Sequence, residues 1–233
     1  MNVMPENVST YGGQLDSLTG TIFWFALVWF LIAAGCLIFF MIKYRKRDGV
    51  KASYLPGNEF KHAKWLYLII ILVTLSDGII DVKNMSVWDT IENTPPKADV
   101  EVKITGRMWN WIFTYPGPDG KLDTSDDVVV DAQNSALHVP VNKNVVFHLG
   151  ARDVLHAFWV KEFRLKQDAI PGRWIKRWFN ATKTGRYELA CAEICGVMHA
   201  QMRNFIVVES EEEYQKFLSS LYDRDKSKQL TLR

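Results

Sequence analysis

The stretch Cys191-Ala-Glu-Ile-Cys-Gly-Val-Met-His-Ala-Gln-Met202 sets two thiols, an imidazole and a thioether within twelve residues: Cys191, Cys195, His199 and Met202. Thiolate and thioether are soft ligands and imidazole is borderline, a set that suits copper better than any hard cation. A mononuclear blue-copper site needs one Cys, two His and a weak axial Met. The second thiol therefore calls for a second metal or for a disulfide. A C-x3-C pair in an exported domain is compatible with a disulfide. Structural zinc draws on Cys and His, and a Met three residues past the His adds nothing to it. A buried Met beside a Cys is also ordinary packing. The metal reading gains from a second imidazole upstream, in Asp153-Val-Leu-His156, followed by Lys166-Gln-Asp-Ala-Ile-Pro-Gly-Arg173.

At these residues the chain closely resembles subunit II of the haem–copper oxidases, the cytochrome c oxidase family. The patterns D-V-L-H, K-x-D-A-I-P-G-R and C-x-E-x-C-G-x-x-H-x-x-M stand in that order and at comparable spacing. The resemblance covers roughly the whole chain, because two membrane spans followed by a β-domain is also the family's layout. It implies the binuclear copper centre called CuA. Cys191 and Cys195 would bridge the two coppers, His156 and His199 would each cap one, and Met202 and the backbone carbonyl of Glu193 would be weaker ligands. It also implies that the Glu193 side chain reaches a Mg²⁺ or Mn²⁺ ion at the boundary with subunit I. The implied partners are haem-bearing subunit I, the other subunits of the complex, and cytochrome c or another small redox donor. Reduction of the terminal acceptor is not expected of this chain, which has no haem-ligating helix bundle, and no catalytic residue is assigned to it.

Working outward, the 233 residues suit one globular domain with additional segments, and 28 Lys and Arg nearly cancel 26 Asp and Glu. That balance gives no reason to expect a nucleic-acid partner. The average hides an asymmetry: residues 1–42 contain no Lys or Arg, and no basic n-region or cleavage site marks a removable signal peptide. Residues 21–42 form an uncharged run of 22 residues, and a bilayer core needs ~20 apolar residues as a helix. The loop 43–64 holds seven basic residues against Asp48 and Glu59, which makes it cytoplasmic and the N-terminus external. The next apolar run, 65–80, is shorter and includes Asp77. It spans the membrane only if its polar ends snorkel or lie at the surfaces. Asp77 and Asp81 share one helix face, either solvated at the interface or turned toward subunit I for proton or ion handling.

These readings divide the chain into an external segment (1–20), a first transmembrane helix (21–42), a cytoplasmic loop (43–64), a second transmembrane helix (65–82), a linker (83–98), a CuA domain (99–210), and a C-terminal helix and tail (211–233). Alternation and β-branched or aromatic enrichment predict strands at 100–105, 109–115, 144–149, 174–179, 186–191 and 204–208. The fold class is two transmembrane α-helices followed by an all-β domain, a sandwich or small barrel, which the resemblance makes a cupredoxin-type Greek key. Tyr214, Phe217, Leu218 and Leu221 predict an amphipathic helix over 211–222, and the polar tail beyond it reads as loose. His138 and His148 read as hydrogen-bonded structural residues. The expected location is an energy-transducing membrane, that of a bacterium, crossed twice, with the copper domain on the outer or periplasmic side.

Two features depart from the family's appearance. Trp109-Asn-Trp111 stands where relatives carry Trp-Tyr-Trp. Aromatics there normally receive electrons above CuA, so Trp109 and Trp111 are the candidate points where electrons enter, and Asn110 alters the surface offered to a donor. Ordinary core aromatics are the alternative. Second, residues 116–127 read as an inserted loop carrying Asp119, Asp123, Asp126 and Asp127. Hard oxygen donors on a flexible loop suit Ca²⁺, and a solvated acidic turn is the other reading. The function the resemblance implies is electron input, from the donor through CuA to haem in subunit I for O₂ reduction, and three rivals to it stay open. One is a membrane-anchored copper chaperone of the Sco type, which expects a thioredoxin-like βαβ pattern. Another is a metal-free domain held by a disulfide. The third is the same CuA subunit serving a nitric oxide reductase.

Overall fold

Helix α1 (Gly12–Lys43) and helix α2 (Phe60–Trp88) open the chain in its computed structural model, which describes residues 4–54, 56–133 and 135–231. Residues Gln14–Asp89 form one unit, and Met1–Gly13 with Thr90–Arg233 form the other. Both helices are long and apolar enough to cross a membrane. They run antiparallel: Trp29 Nε1 donates to Ser76 Oγ at 3.2 Å, and Lys83 Nζ to Thr21 Oγ1 at 2.8 Å. Phe23, Phe30, Leu31, Ile69 and Leu72 point outward and are exposed, as on helices solvated by lipid rather than water. Each helix is longer than its uncharged run because helical backbone continues through the flanking polar residues. Helix α2 absorbs much of the expected linker. It ends in a π-helical turn, Asp89–Asn93, just before Pro95 and Pro96, which cannot continue it.

The second unit is a two-sheet β-domain. Its strands are β1 (Val100–Arg107), β2 (Asn110–Tyr115), β3 (Val128–Asp131), β4 (Leu137–Pro140), β5 (Val145–Ala151), β6 (His156–Val160), β7 (Leu165–Ala169), β8 (Ile175–Phe179), β9 (Gly185–Cys191) and β10 (Arg203–Glu209). One sheet has the order β3-β2-β1-β5-β8 and the other β4-β10-β9-β6-β7. The pairs β1–β5 and β4–β10 are parallel and the rest antiparallel. Ile104, Phe113, Phe147, Leu149, Phe158, Leu189 and Ile206 are fully buried and supply the apolar burial that holds the layers together. The six expected strands are all present, and β3, β4, β6 and β7 are additional.

Two peripheral segments close this core. Residues 5–11 lie along it as a strap: Val8 N–H donates to Glu162 O at 2.9 Å, Thr182 N–H to Val8 O at 2.9 Å, and Ser9 Oγ to Phe163 O at 3.0 Å. Tyr11 meets the Trp178 ring edge-on at 5.2 Å. Helix α3 (Glu211–Thr231) starts with a capping box in which Ser210 and Glu213 bond reciprocally. It buries Tyr214 and Leu221 and stacks Phe217 on His138 at 4.0 Å, while His138 pairs with Glu209. It runs nine residues past the expected end, through the segment expected to be loose. No Gly or Pro interrupts residues 211–231, so the helical backbone meets no breaker there.

Candidate metal centre

Pairing within the second sheet brings distant donors to one end of it. β6 begins at His156, β9 ends at Cys191, and β10 begins directly after Met202, with Phe158 opposite Cys191 and Arg203 opposite Ala190. The loop between β9 and β10 folds back on this end. Cys191 N–H donates to Met202 O at 3.0 Å, Ala192 N–H to Ala157 O at 3.0 Å, and His199 N–H to Gly196 O at 3.1 Å.

The result is a cluster of soft donors. Cys191 Sγ lies 3.8 Å from Cys195 Sγ and 3.9 Å from His156 Nδ1, and 3.2 Å from the Glu193 carbonyl oxygen. Cys195 Sγ lies 3.5 Å from His199 Nδ1 and 3.8 Å from Met202 Sδ. His156, Cys191, Cys195 and Met202 are buried, and Glu193 and His199 are half-buried. The ligand atoms of His156, Cys191 and Cys195 all fall within 4.8 Å of one another. Both cysteines are free thiols, at a sulfur separation far beyond the roughly 2.05 Å of a disulfide. Burial works against ionising Cys191, but its hydrogen bond with His156, then backbone contacts at Glu193 and Ala157, outweigh burial and lower its pKa. Burial and the charge on Cys191 raise the pKa of Cys195. Two thiolates this close repel, and a shared cation would relieve that repulsion. Soft donors and their convergence fit copper.

Three residues with no assigned role in the sequence shape this cluster. Asp153 accepts His156 Nε2–H at 2.9 Å; an Asp three residues before a ligand His is the sequence signal for it. A Cβ on Gly106 would stand 2.9 Å from the His156 ring, so β1 comes this close only as glycine. Gly196 has φ +119°, and a Cβ there would lie 3.0 Å from Trp109 Nε1.

Trp109 is half-buried beside the centre and donates Nε1–H to the Cys195 carbonyl at 3.1 Å. Trp111 is fully buried, 6.1 Å from the His156 ring and 5.6 Å from Phe158, so it presents no surface to a partner. Asn110 is only 8 % exposed and bonds Asp131. It changes the interior of the β1–β2 turn, not the surface the sequence suggested. The acidic loop is tied largely to itself. Asp119 Oδ1 accepts Lys121 N–H, Asp126 Oδ2 accepts Asp119 N–H, Asp127 Oδ2 accepts Asp123 N–H, and Asp123 pairs with Lys103. Its carboxylates are turned onto the loop's own amides, the Thr124 hydroxyl and a lysine. His148 Nε2 stands 3.8 Å from Glu101.

A two-sheet β-domain with a buried Cys/His/Met cluster, in a chain with two helices apolar enough to span a bilayer, defines a membrane-bound soft-metal protein. Residues 100–211 match the family model for cytochrome C oxidase subunit II, periplasmic domain. The chain is 32 % identical to the alternative cytochrome c oxidase subunit 2 of Bradyrhizobium diazoefficiens, over 91 % of this chain and 81 % of that one. It is 31 % identical to cytochrome c oxidase subunit 2 of Thermostichus vulcanus, over 91 % and 76 %. The crystal structure of the periplasmic domain of subunit II of cytochrome oxidase (CoxB) of Bradyrhizobium japonicum aligns with a TM-score of 0.50 and 35 % identity, covering 56 % of this chain and 99 % of that one. The chain belongs to the cytochrome c oxidase subunit II family: it is an electron-input, membrane subunit of a haem–copper oxidase, an oxidoreductase complex. Its β-domain is cupredoxin-type, and the thioredoxin-like pattern of a copper chaperone does not fit it.

Proposed function

We propose that His156, Cys191, Cys195, His199, Met202 and the Glu193 carbonyl hold a binuclear CuA centre, and that electrons reach it past Trp109 from a cytochrome c-like or other small donor. The observation that carries this is the doubled donor set. Cys191 faces His156 at 3.9 Å, Cys195 faces His199 at 3.5 Å, and the sulfurs stand 3.8 Å apart, whereas one copper needs a single Cys. Copper bound there supplies a one-electron couple. The chain's part is to hold the donors on three neighbouring strand ends, so that they need little rearrangement between redox states. Trp109 joins the outer surface to a ligand segment through its hydrogen bond to Cys195. Met108, next to it in the chain, and Ile194 and Val197, which flank the Cys195–Gly196 segment it touches, are exposed apolar residues that would offer the donor a landing area. Residues from 65 onward carry 21 basic and 22 acidic side chains, so any steering comes from local clusters.

In this reading α1 and α2 cross the membrane with the basic loop 43–64 on the cytoplasmic side. The β-domain lies on the periplasmic side. Electrons pass on to haem in subunit I for O₂ reduction, and the Glu193 carboxylate faces a Mg²⁺ or Mn²⁺ ion at that boundary. The purified complex should contain two coppers per copy of this chain and turn over O₂ faster than NO. One copper per chain with an ordinary four-line mononuclear spectrum would overturn the binuclear assignment. Preferential NO turnover would overturn the terminal acceptor.

A further inference from the structure

Helix α2 carries a polar row that α1 does not cover. Ser76 and Lys83 bond to Trp29 and Thr21 across the helix pair, so the face they share is the one turned to α1. Asp77 and Asn84 each stand one residue further on, about 100° round the helix from that face. Thr74 and Asp81 fall beside them, and the spacing 74, 77, 81, 84 makes one continuous row. All four residues are exposed, and among the described residues their side chains have no hydrogen-bond or ion-pair partner. The opposite face, with Leu68, Ile71, Leu75, Ile79 and Val82, is as exposed and wholly apolar.

The depth of the row follows from the bonds between the helices. The uncharged run of α1, residues 21–42, is about 33 Å long at 1.5 Å per residue, close to the thickness of a hydrocarbon core. Thr21 therefore marks the outer edge, and Lys83 is level with it. Further in, Trp29 meets Ser76, so the two helices keep step. Asp81 then lies about 3 Å and Asp77 about 9 Å inside the apolar layer, with Thr74 near its middle.

We propose that Thr74, Asp77, Asp81 and Asn84 are the face on which a transmembrane helix of haem-bearing subunit I packs, and that this helix brings a Lys or Arg side chain to the level of Asp77 and Asp81. The proposal rests on the membrane-spanning reading above. Polar side chains at this depth face protein or enclosed water, because lipid offers them no partner. Two carboxylates one turn apart also repel each other, and one cation between them relieves both the repulsion and the loss of water. Thr74 and Asn84 add hydrogen bonds on either side, as small polar residues do across helix interfaces in a membrane. A second copy of this chain in the same orientation would set the same carboxylates at the same depth. Like charge would then meet like charge, so the charge pattern selects a basic partner.

Two measurements on the full complex test this. In native membranes, a benzophenone amino acid replaces Ile70, one turn along the row from Thr74, or Ile79 on the apolar face; both positions are about half exposed. On illumination the probe at 70 is expected to cross-link to subunit I, and the probe at 79 to no protein. In the second measurement the complex is purified through a tag on subunit I, and the amount of this chain per haem is read. Asp77→Asn combined with Asp81→Asn is expected to lower that ratio roughly fivefold or more, since the partner's cation is left unpaired. The Asp77→Glu, Asp81→Glu pair is expected to keep it. Cross-linking to subunit I from 79 and not from 70, or from 70 to a second copy of this chain, would overturn the proposal. So would wild-type retention of the double Asn variant; if proton translocation alone were lost, the carboxylates would be lining an ion path. A double variant that fails to accumulate leaves the two cross-links to decide. Topology is read separately, by protease, which should cut the loop 43–64 only in inside-out vesicles. Cutting from the outer side would sink the membrane reading, whereas a protected loop with no cross-link from 70 would sink only the docking row.

Discussion

Residues 191–202 and residues 116–127 are both twelve-residue stretches dense in ligand-type side chains, and the fold treats them in opposite ways. In the first, the backbone is held by strands: Cys191 ends β9, Met202 leads into β10, and His156 arrives from β6. The amides there bond to other main-chain groups, which leaves the side chains free to converge in a buried space. In the second, a surface loop has many amides without strand partners, and its carboxylates supply them. Donor density alone therefore does not make side chains converge. What matters is whether something other than the donors satisfies the backbone.

The strongest way to break that comparison is to remove one convergent donor. Cys195→Ser should leave at most one copper per chain and abolish donor-driven reduction, measured by metal analysis and stopped-flow absorbance on the purified complex. Two coppers retained would mean that Cys195 is not a ligand and that the cluster behaves more like the acidic loop. A smaller disturbance leaves every ligand in place. Gly196→Ala adds a Cβ at φ +119° and 3.0 Å from Trp109 Nε1, a strain of order 1–3 kcal/mol. It should displace the indole from the Cys195 carbonyl and slow electron input about tenfold with copper largely retained. An unchanged rate would show that the ring's placement does not matter.

How far each region was legible follows from the same physics. The ligand motif could be read because its spacing carries chemistry, β1 because Val100, Val102 and Ile104 alternate with polar neighbours, and β2 and β5 because they are rich in aromatic and β-branched residues. Strands β3, β4 and β7 lie at sheet edges. They have only four or five residues and pair on one side, too short to show a period. The strap at 5–11 was illegible, since its partners Glu162, Phe163 and Thr182 lie far away in the chain. Asp153 and Gly106 were hidden for a related reason: what each does depends on a His156 ring placed by another strand. Within 116–127 the carboxylates themselves were plain, and what could not be read was their recruitment by neighbouring amides.

That recruitment sets the next expected effect. Millimolar Ca²⁺ should leave the melting temperature of the full chain unchanged. Asp123→Ala should cost only about 0.2–1 kcal/mol through loss of the Lys103 pair, because the Asp123 side chain is 72 % exposed. A calcium-dependent rise in melting temperature that Asp123→Ala abolishes would mean that the loop can gather its carboxylates after all, and the contrast with the thiol cluster would fail.

The smallest expected effect isolates one carboxylate inside the loop. The Thr124 hydroxyl donates to Asp126 Oδ1 at 2.6 Å and the Asp119 amide to Oδ2 at 3.2 Å, and these bonds to the charged form, the Thr124 bond first, hold the Asp126 pKa below its ordinary value. The folded loop therefore gives up this proton at lower pH than the unfolded chain does. The stabilisation is complete above the ordinary carboxylate pKa of about 3.9 and is lost as the pH falls through the lower folded value. Thr124→Val removes the larger contribution, so the Asp126 pKa should move up toward the ordinary value while copper content stays that of the wild type. A carboxyl ¹³C titration of the full chain reads it directly. An Asp126 pKa unmoved by Thr124→Val would show that the loop's side chains are not closed on one another. They would then be as free to collect a cation as the two thiols are.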